Sequence, residues 1–196
     1  MGARCGDVGY RPVVSHPSPL SARPLDVPSA AARPAPVRGA PEPGTPVPRH
    51  YDRCFACGDG PDGLHLRFTA GEDLSVTAEL QVREAHQGAP GLIHGGVLAA
   101  AFDETFGALN AFVGEASVTG QLNTSYRKPV PVGSTLHLWA RLEGREGRKL
   151  WMRATGRLDG PDGPLAAEAS ALFLIVPPSH FVDHGSALPD QIAVNP

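Results

Sequence analysis

Two carboxylates stand side by side in an otherwise apolar run, His94-Gly95-Gly96-Val-Leu-Ala-Ala-Ala-Phe-Asp103-Glu104-Thr-Phe-Gly107. On a helix, Asp103 has Ala99, Ala100, Phe106 and Gly107 as its three- and four-residue neighbours, so its carboxylate emerges among small or apolar groups. Such surroundings raise the cost of its charge and suit a base or a nucleophile. Glu104 points about 100° away, so the two acids do not share a proton by spacing alone. A solvent-facing edge or an arginine partner accounts for either acid equally well. His94-Gly95-Gly96 places pliable backbone ahead of the helix body. Free N–H groups there can donate to a developing oxyanion, or the glycines can simply serve a tight turn.

Cys54-Phe-Ala-Cys57-Gly58 is a second group of chemically capable residues. A zinc site needs two further ligands at usable spacing, and His65 is the one candidate close by, with no second such pair following. Neither a metal nor a redox cofactor is therefore expected. His137, His180 and His184 read as surface or packing residues.

The elements that must position these groups are mostly strands. Leu74–Val82, Ser117–Tyr126, Thr135–Leu142, Leu150–Leu158 and Ala166–Val176 alternate apolar and polar residues or run apolar between turn signals. The connection Gly144-Arg-Glu-Gly147 suggests a hairpin, and Lys128-Pro129-Val-Pro131 stops the strand before it. Residues 94–113 form one helical segment, apolar on too many faces for a surface helix and therefore buried. Several antiparallel strands around one buried helix imply an α+β domain whose sheet wraps the helix.

Residues 1–49, rich in Pro, Ala, Ser, Gly and Arg, are expected to form a disordered extension, because they offer little apolar surface to offset ordering entropy. Residues 177–196 return to that composition and read as a tail laid over the domain. A net charge of −3 supplies no basic field for nucleic acid or an anionic membrane. No stretch approaches the roughly 18 consecutive apolar residues of a membrane span. The N-terminus lacks the apolar core of a signal peptide, and its prolines would break a transit-peptide helix. Three cysteines, an odd number, fit a reducing cytoplasmic setting better than a secreted disulfide scaffold.

The run Glu84-Ala-His86-Gln87-Gly88-Ala-Pro90-Gly91-Leu-Ile-His94-Gly95-Gly96, then Asp103, then Asn123-Thr-Ser-Tyr126-Arg127-Lys128-Pro129, resembles the hotdog-fold acyl-CoA thioesterases. More narrowly, it is similar to the branch holding the phenylacetate-pathway thioesterases and the mammalian thioesterase-superfamily members. The resemblance covers residues 50–176. It implies a curved antiparallel sheet around a long helix, protomers paired edge to edge, and active sites at the dimer interface. The resemblance assigns Asp103 as nucleophile or general base, and the amide of Gly95 from the other protomer as the donor that polarises the thioester carbonyl. By the same match Thr119 orients the water, and His94, His86 or Gln87 touches the thioester or fixes the loop, unranked. Gly96, with Gln87, is expected to contact the substrate. Ser125, Arg127, Arg148 and Lys149 match positions that contact CoA, although both basic pairs would serve equally as solvated strand ends.

Hydrolysis of an acyl-CoA, or of an acyl-carrier-protein thioester, by a homodimer or dimer of dimers follows as the leading expectation. Glu104 has no part in that scheme, although another hotdog branch uses a glutamate on this helix at a shifted position. A non-catalytic acyl-CoA-binding module is the alternative, and enoyl-thioester hydration lacks its downstream histidine. Small residues at Ala99, Ala100, Gly107 and Ala108 leave room for an acyl group. In the resemblance, Cys54 to Leu66 is the entry loop of the domain.

Overall fold

The computed structural model describes residues 24–185. In chain order the elements are β1 (Thr69–Gly71), β2 (Ser75–Gln81), β3 (Gln87–Ala89), β4 (Leu92–Ile93), α1 (Gly95–Gly107), α2 (Asn110–Val113), β5 (Ser117–Tyr126), β6 (Thr135–Glu146), β7 (Lys149–Leu158), β8 (Leu165–Ile175) and α3 (Ser179–His184). Six strands form an antiparallel sheet in the order β1-β2-β6-β7-β8-β5, and β3 pairs with β4 alone. This is the α+β architecture expected, a sheet wrapped on one long helix.

The alternation of the strands sorts their side chains. Leu136, Leu138, Ala140 and Leu142 of β6 and Leu150, Met152 and Ala154 of β7 are buried. Helix α1 lies on that face, packed against β2 and β5 to β8, with Phe102 and Phe106 fully buried. The ring of Phe106 meets Phe173 of β8 edge to face, centroids 6.1 Å apart. Thr105, the buried polar residue of α1, donates its hydroxyl to the Ala101 carbonyl at 2.6 Å, so no polar group is stranded there.

The helical run 94–113 divides in two. After Gly107 the winding tightens, with Leu109 N–H bonding Phe106 and Phe112 N–H bonding Leu109, and Gly114 in the left-handed region (φ 65°) ends α2. The β6–β7 hairpin is also longer than its glycines suggest. Both strands run on to a turn at Gly147-Arg148, and Gly144 marks a bulge rather than the turn. A Cβ on Gly144 would stand 3.1 Å from Ala31 and Val27, so the bulge admits a crossing segment.

That crossing segment is the described part of the Pro-rich extension, which is laid on the domain from residue 24 rather than detached from it. Leu25 N–H bonds the Ser170 hydroxyl, Ala32 pairs with Arg145, Val37 N–H reaches Phe112, and Pro46 bridges Thr69 beside β1. Burial is sparse, with Val47 the buried side chain of the stretch. Isolated backbone hydrogen bonds hold an extended chain, and composition carries no signal for these. Residues 1–23 of the expected extension and 186–196 of the expected tail lie outside the described residues; within the tail, 179–184 form α3. Among the described residues no helix is long and apolar enough to cross a membrane.

Candidate active site

The glycine-rich loop is built by the β3–β4 hairpin. Gly91 takes the left-handed conformation (φ 76°), and its N–H donates to the Gln87 side-chain oxygen at 2.7 Å. Ile93 and Val132 backbone bonds dock β4 against the Pro129–Val132 segment. His86 sits behind the loop at 2% exposure, and its carbonyl accepts the His94 N–H at 2.8 Å. His86 and Gln87 thus shape the loop.

His86 also gives the fold a pH dependence. Burial first, and the Arg83 charge second, hold its pKa below the usual histidine range. The unfolded chain then binds the extra proton more readily, so stability present above about pH 6.5 is lost as the pH falls below it. We expect the melting temperature to drop between about pH 7 and pH 5, and His86→Gln to flatten that slope.

His94 caps α1, its ring Nδ1 accepting the Gly96 N–H at 2.9 Å. That occupies the Gly96 amide. Gly95, the first helical residue, has no partner for its N–H among the described residues. Its carbonyl accepts the Tyr126 hydroxyl at 2.8 Å, and the Tyr126 ring would lie 3.4 Å from a Gly95 Cβ. Desolvation raises the Tyr126 pKa. A cavity of about 310 Å³ opens here, lined by Leu92, Gly95, Leu98, Tyr126, Arg127 and Lys128. Tyr126 was legible as the end of a strand and as part of the signature run, and its role over Gly95 needs the fold.

Asp103 lies half-buried, two turns further along α1, with Ala99, Ala100 and Gly107 half-buried around it. Thr119 donates its hydroxyl to Asp103 Oδ1 at 2.6 Å. A register shift of β5 between Thr119 and Gln121 re-aims the strand at that point. Asp103 and Thr119, paired only through the family resemblance, therefore come together. Gly95 does not join them. Eight residues of helix separate it from Asp103, about 12 Å at the helical rise.

The basic residues divide in the same way. Arg127 lines the Gly95 cavity and bonds Glu168 of β8, with its Nε 3.0 Å from the carboxylate. Ser125 is half-buried near the same end of β5. Arg148 and Lys149 lie at the opposite end of the sheet. Lys149 pairs with Leu174, whereas Tyr126 pairs with Ala167, a separation of about 23 Å along β8.

Glu104 turns away from Asp103 toward the Cys54–Cys57 loop. Its two oxygens lie 3.3 Å from His50 Nδ1 and 3.3 Å from Cys54 Sγ, and Cys57 Sγ is 3.7 Å from His50 Nδ1. The sequence pointed to His65 as the ligand nearest these cysteines. His65 instead bonds the Gly60 carbonyl in a left-handed conformation (φ 57°), and His50 and Glu104 occupy the place. Hydrogen bonding to Cys54, then to Glu104, raises the His50 pKa to about 10. The Cys57 thiol, donating to Cys54, favours the Cys54 thiolate and is itself held protonated.

Comparison with known proteins agrees with this architecture. Residues 90–162 match the family model of the thioesterase superfamily. The acyl-coenzyme A thioesterase THEM4 of Bos taurus is 37% identical over 120 residues, 60% of this chain and 49% of the relative. The chain thus spans about half the length of that curated relative. The crystal structure of a thioesterase superfamily protein is 33% identical and superposes at a TM-score of 0.50, covering 56% of this chain and 53% of the other. Zebra fish thioesterase superfamily member 2, at 18% identity, shares the fold, with a TM-score of 0.54 over 60% of this chain and 89% of its own. The sheet and the helix it wraps are those of the hotdog fold, and the segment 90–162 within it is similar to the thioesterase superfamily.

Proposed function

We propose that the protein hydrolyses an acyl-CoA thioester to the free acid and CoA, at sites each shared by two copies of the chain. The observation that carries this is the division of the machinery: a Thr119–Asp103 pair at one end of α1 and, at the other, about 12 Å away, a Gly95 amide with no partner among the described residues. A reacting carbonyl must lie about 3 Å from both its nucleophile and its oxyanion donor. One chain cannot meet that requirement, and two can.

The open edge of the sheet supplies the pairing. Strand β5 is ten residues long and terminal in the sheet, a ready template for another strand. A two-fold axis across that edge sets the start of one β5 beside the end of the other. Asp103 and Thr119 of one protomer then face Gly95, Tyr126 and Arg127 of its partner, and Arg148 and Lys149 approach the same site. Both basic pairs, far apart in one chain, converge there on the phosphates of CoA.

In this site the Gly95 N–H stabilises charge developing on the thioester oxygen. Asp103 either attacks the carbonyl carbon to form an acyl-aspartyl anhydride that water then hydrolyses, or takes a proton from the water that attacks; the C–S bond breaks, and a proton from that water ends on the sulfur of the leaving CoA. Thr119 holds Asp103 in position and orients the water. Thr119→Ala is expected to lower kcat about tenfold with little change in KM, one hydrogen bond's worth of positioning. Steady-state thiol release checks it. A cytoplasmic setting remains part of this reading, since the three cysteines suit reducing conditions. The test of hydrolysis itself is release of free thiol from a panel of acyl-CoAs by the purified full chain, and absence of release across aliphatic and aryl substrates would favour a binding module.

A further inference from the structure

We infer that His50, Cys54, Cys57 and Glu104 form a structural zinc site that fastens the entry loop of the domain to the helix carrying Asp103. The four ligand atoms lie within 4.8 Å of one another. Zinc binds sulfur at about 2.3 Å and nitrogen or oxygen at about 2.0–2.2 Å, so ligands at the corners of its tetrahedron stand roughly 3.3–3.8 Å apart. His50 Nδ1 stands 3.3 Å from Glu104 Oε1 and 3.7 Å from Cys57 Sγ, two edges already of that size, while Cys54 Sγ lies 3.3 Å from the other carboxylate oxygen, Oε2. Two thiols, an imidazole and a carboxylate are a closed set for this ion, with no position left for substrate.

The surroundings support a ligand set over a chance meeting of polar groups. Cys57 is 1% exposed and the Glu104 side chain 12%, so a carboxylate and two thiols are gathered mostly out of water. A buried anion needs a cation, and the imidazole of His50 reaches both the Glu104 carboxylate and the Cys57 sulfur. The loop geometry turns both sulfurs to one side. Ala56 N–H donates to Cys54 Sγ at 3.3 Å, and Gly58 N–H closes onto the Cys54 carbonyl at 2.8 Å. Side-chain bonding steadies the outer layer too, since Arg67 donates to the Cys57 carbonyl at 2.7 Å.

The site also has structural work to do. From residue 50 to residue 68 the chain contains no helix or strand, and its buried side chains are few: Ala56, Cys57, Leu64, Leu66 and Phe68. Such a loop gains order from a metal more than from its own core. Glu104 follows Asp103 directly, so the ion would hold that turn of α1 in place. It acts as a positioning group and touches no substrate, and the inference stands or falls independently of the thioesterase reading.

The test uses the full-length reduced chain, freed of metal by chelation and dialysed. Titration with Zn²⁺ should saturate at about one equivalent per chain, and Co²⁺ should give thiolate charge-transfer bands with intense tetrahedral visible absorption. Zn²⁺ should raise the melting temperature. Cys57→Ser and Cys54→Ser should weaken Zn²⁺ binding by on the order of 100-fold or more, and His50→Gln, at a partly exposed position, should weaken it without unfolding the chain. Circular dichroism of each variant separates a lost ligand from a lost fold. Three results would overturn the inference: no saturable uptake, an unaltered cobalt spectrum in folded His50→Gln, or a Cys54–Cys57 disulfide that forms readily under excess Zn²⁺.

Discussion

Asp103→Asn should lower kcat for acyl-CoA hydrolysis by about 10²–10⁴-fold while leaving KM within a few-fold of wild type. The substitution keeps the shape of the side chain, and Asn can still accept the Thr119 hydroxyl that now reaches Oδ1 at 2.6 Å. What it removes is the charge that attacks or deprotonates. Asp103 is half-buried and lies outside the aromatic core of Phe102 and Phe106, so the melting temperature should barely move. A single turnover in isotopically labelled water then separates the two roles left open for the carboxylate. Label appearing in Asp103 marks it as nucleophile. An Asp103→Asn protein with full activity would remove the residue from the mechanism.

Gly95→Pro should cost about 10²–10³-fold in kcat, the worth of one oxyanion donor, in a protein that still folds. Proline removes one thing of consequence at this position, the backbone N–H. Gly95 is the first residue of α1, where proline is favoured because that N–H has no helical partner. The preceding His94 is already extended (φ −70°, ψ 132°), the conformation a following proline demands. Gly95→Ala is the control. It keeps the N–H and adds a methyl group at ordinary contact distance, 3.4 Å, from the Tyr126 ring, so its activity should stay close to wild type. Equal losses in both variants, measured as kcat beside circular dichroism, would shift the role of Gly95 from its amide to the space it leaves.

The parts of this account that were legible in the sequence are those with a local signature. Strand β5 runs from Ser117 to Tyr126 as its alternation indicates, and Pro129 and Pro131 stop it where they should. The spacing from His94 to Asp103 places a capped helix start and a carboxylate on one element, and the 100° between Asp103 and Glu104 sends them to different partners. What was not legible depends on contacts between distant residues. His50 and Glu104 are 54 positions apart and meet through the path of an irregular loop, which no periodicity encodes. Tyr126 reaches Gly95 across 31 positions because β5 runs antiparallel to α1. The Pro-rich segment is held by single backbone bonds such as Ala32 to Arg145, and these leave no mark on composition.

The central claim is that each active site takes its carboxylate from one protomer and its amide from the other. Co-expression of Asp103→Asn with Gly95→Pro, each nearly inactive alone, tests it most directly. In the mixed dimer one site collects both defects and the other collects neither. Random assembly should therefore restore about a quarter of the wild-type rate, since half the dimers are mixed and one of their two sites is intact. Thiol release by the co-purified mixture at that level is the predicted result. A mixture no more active than the two variants measured separately, with mixed dimers shown to be present, would contradict the account.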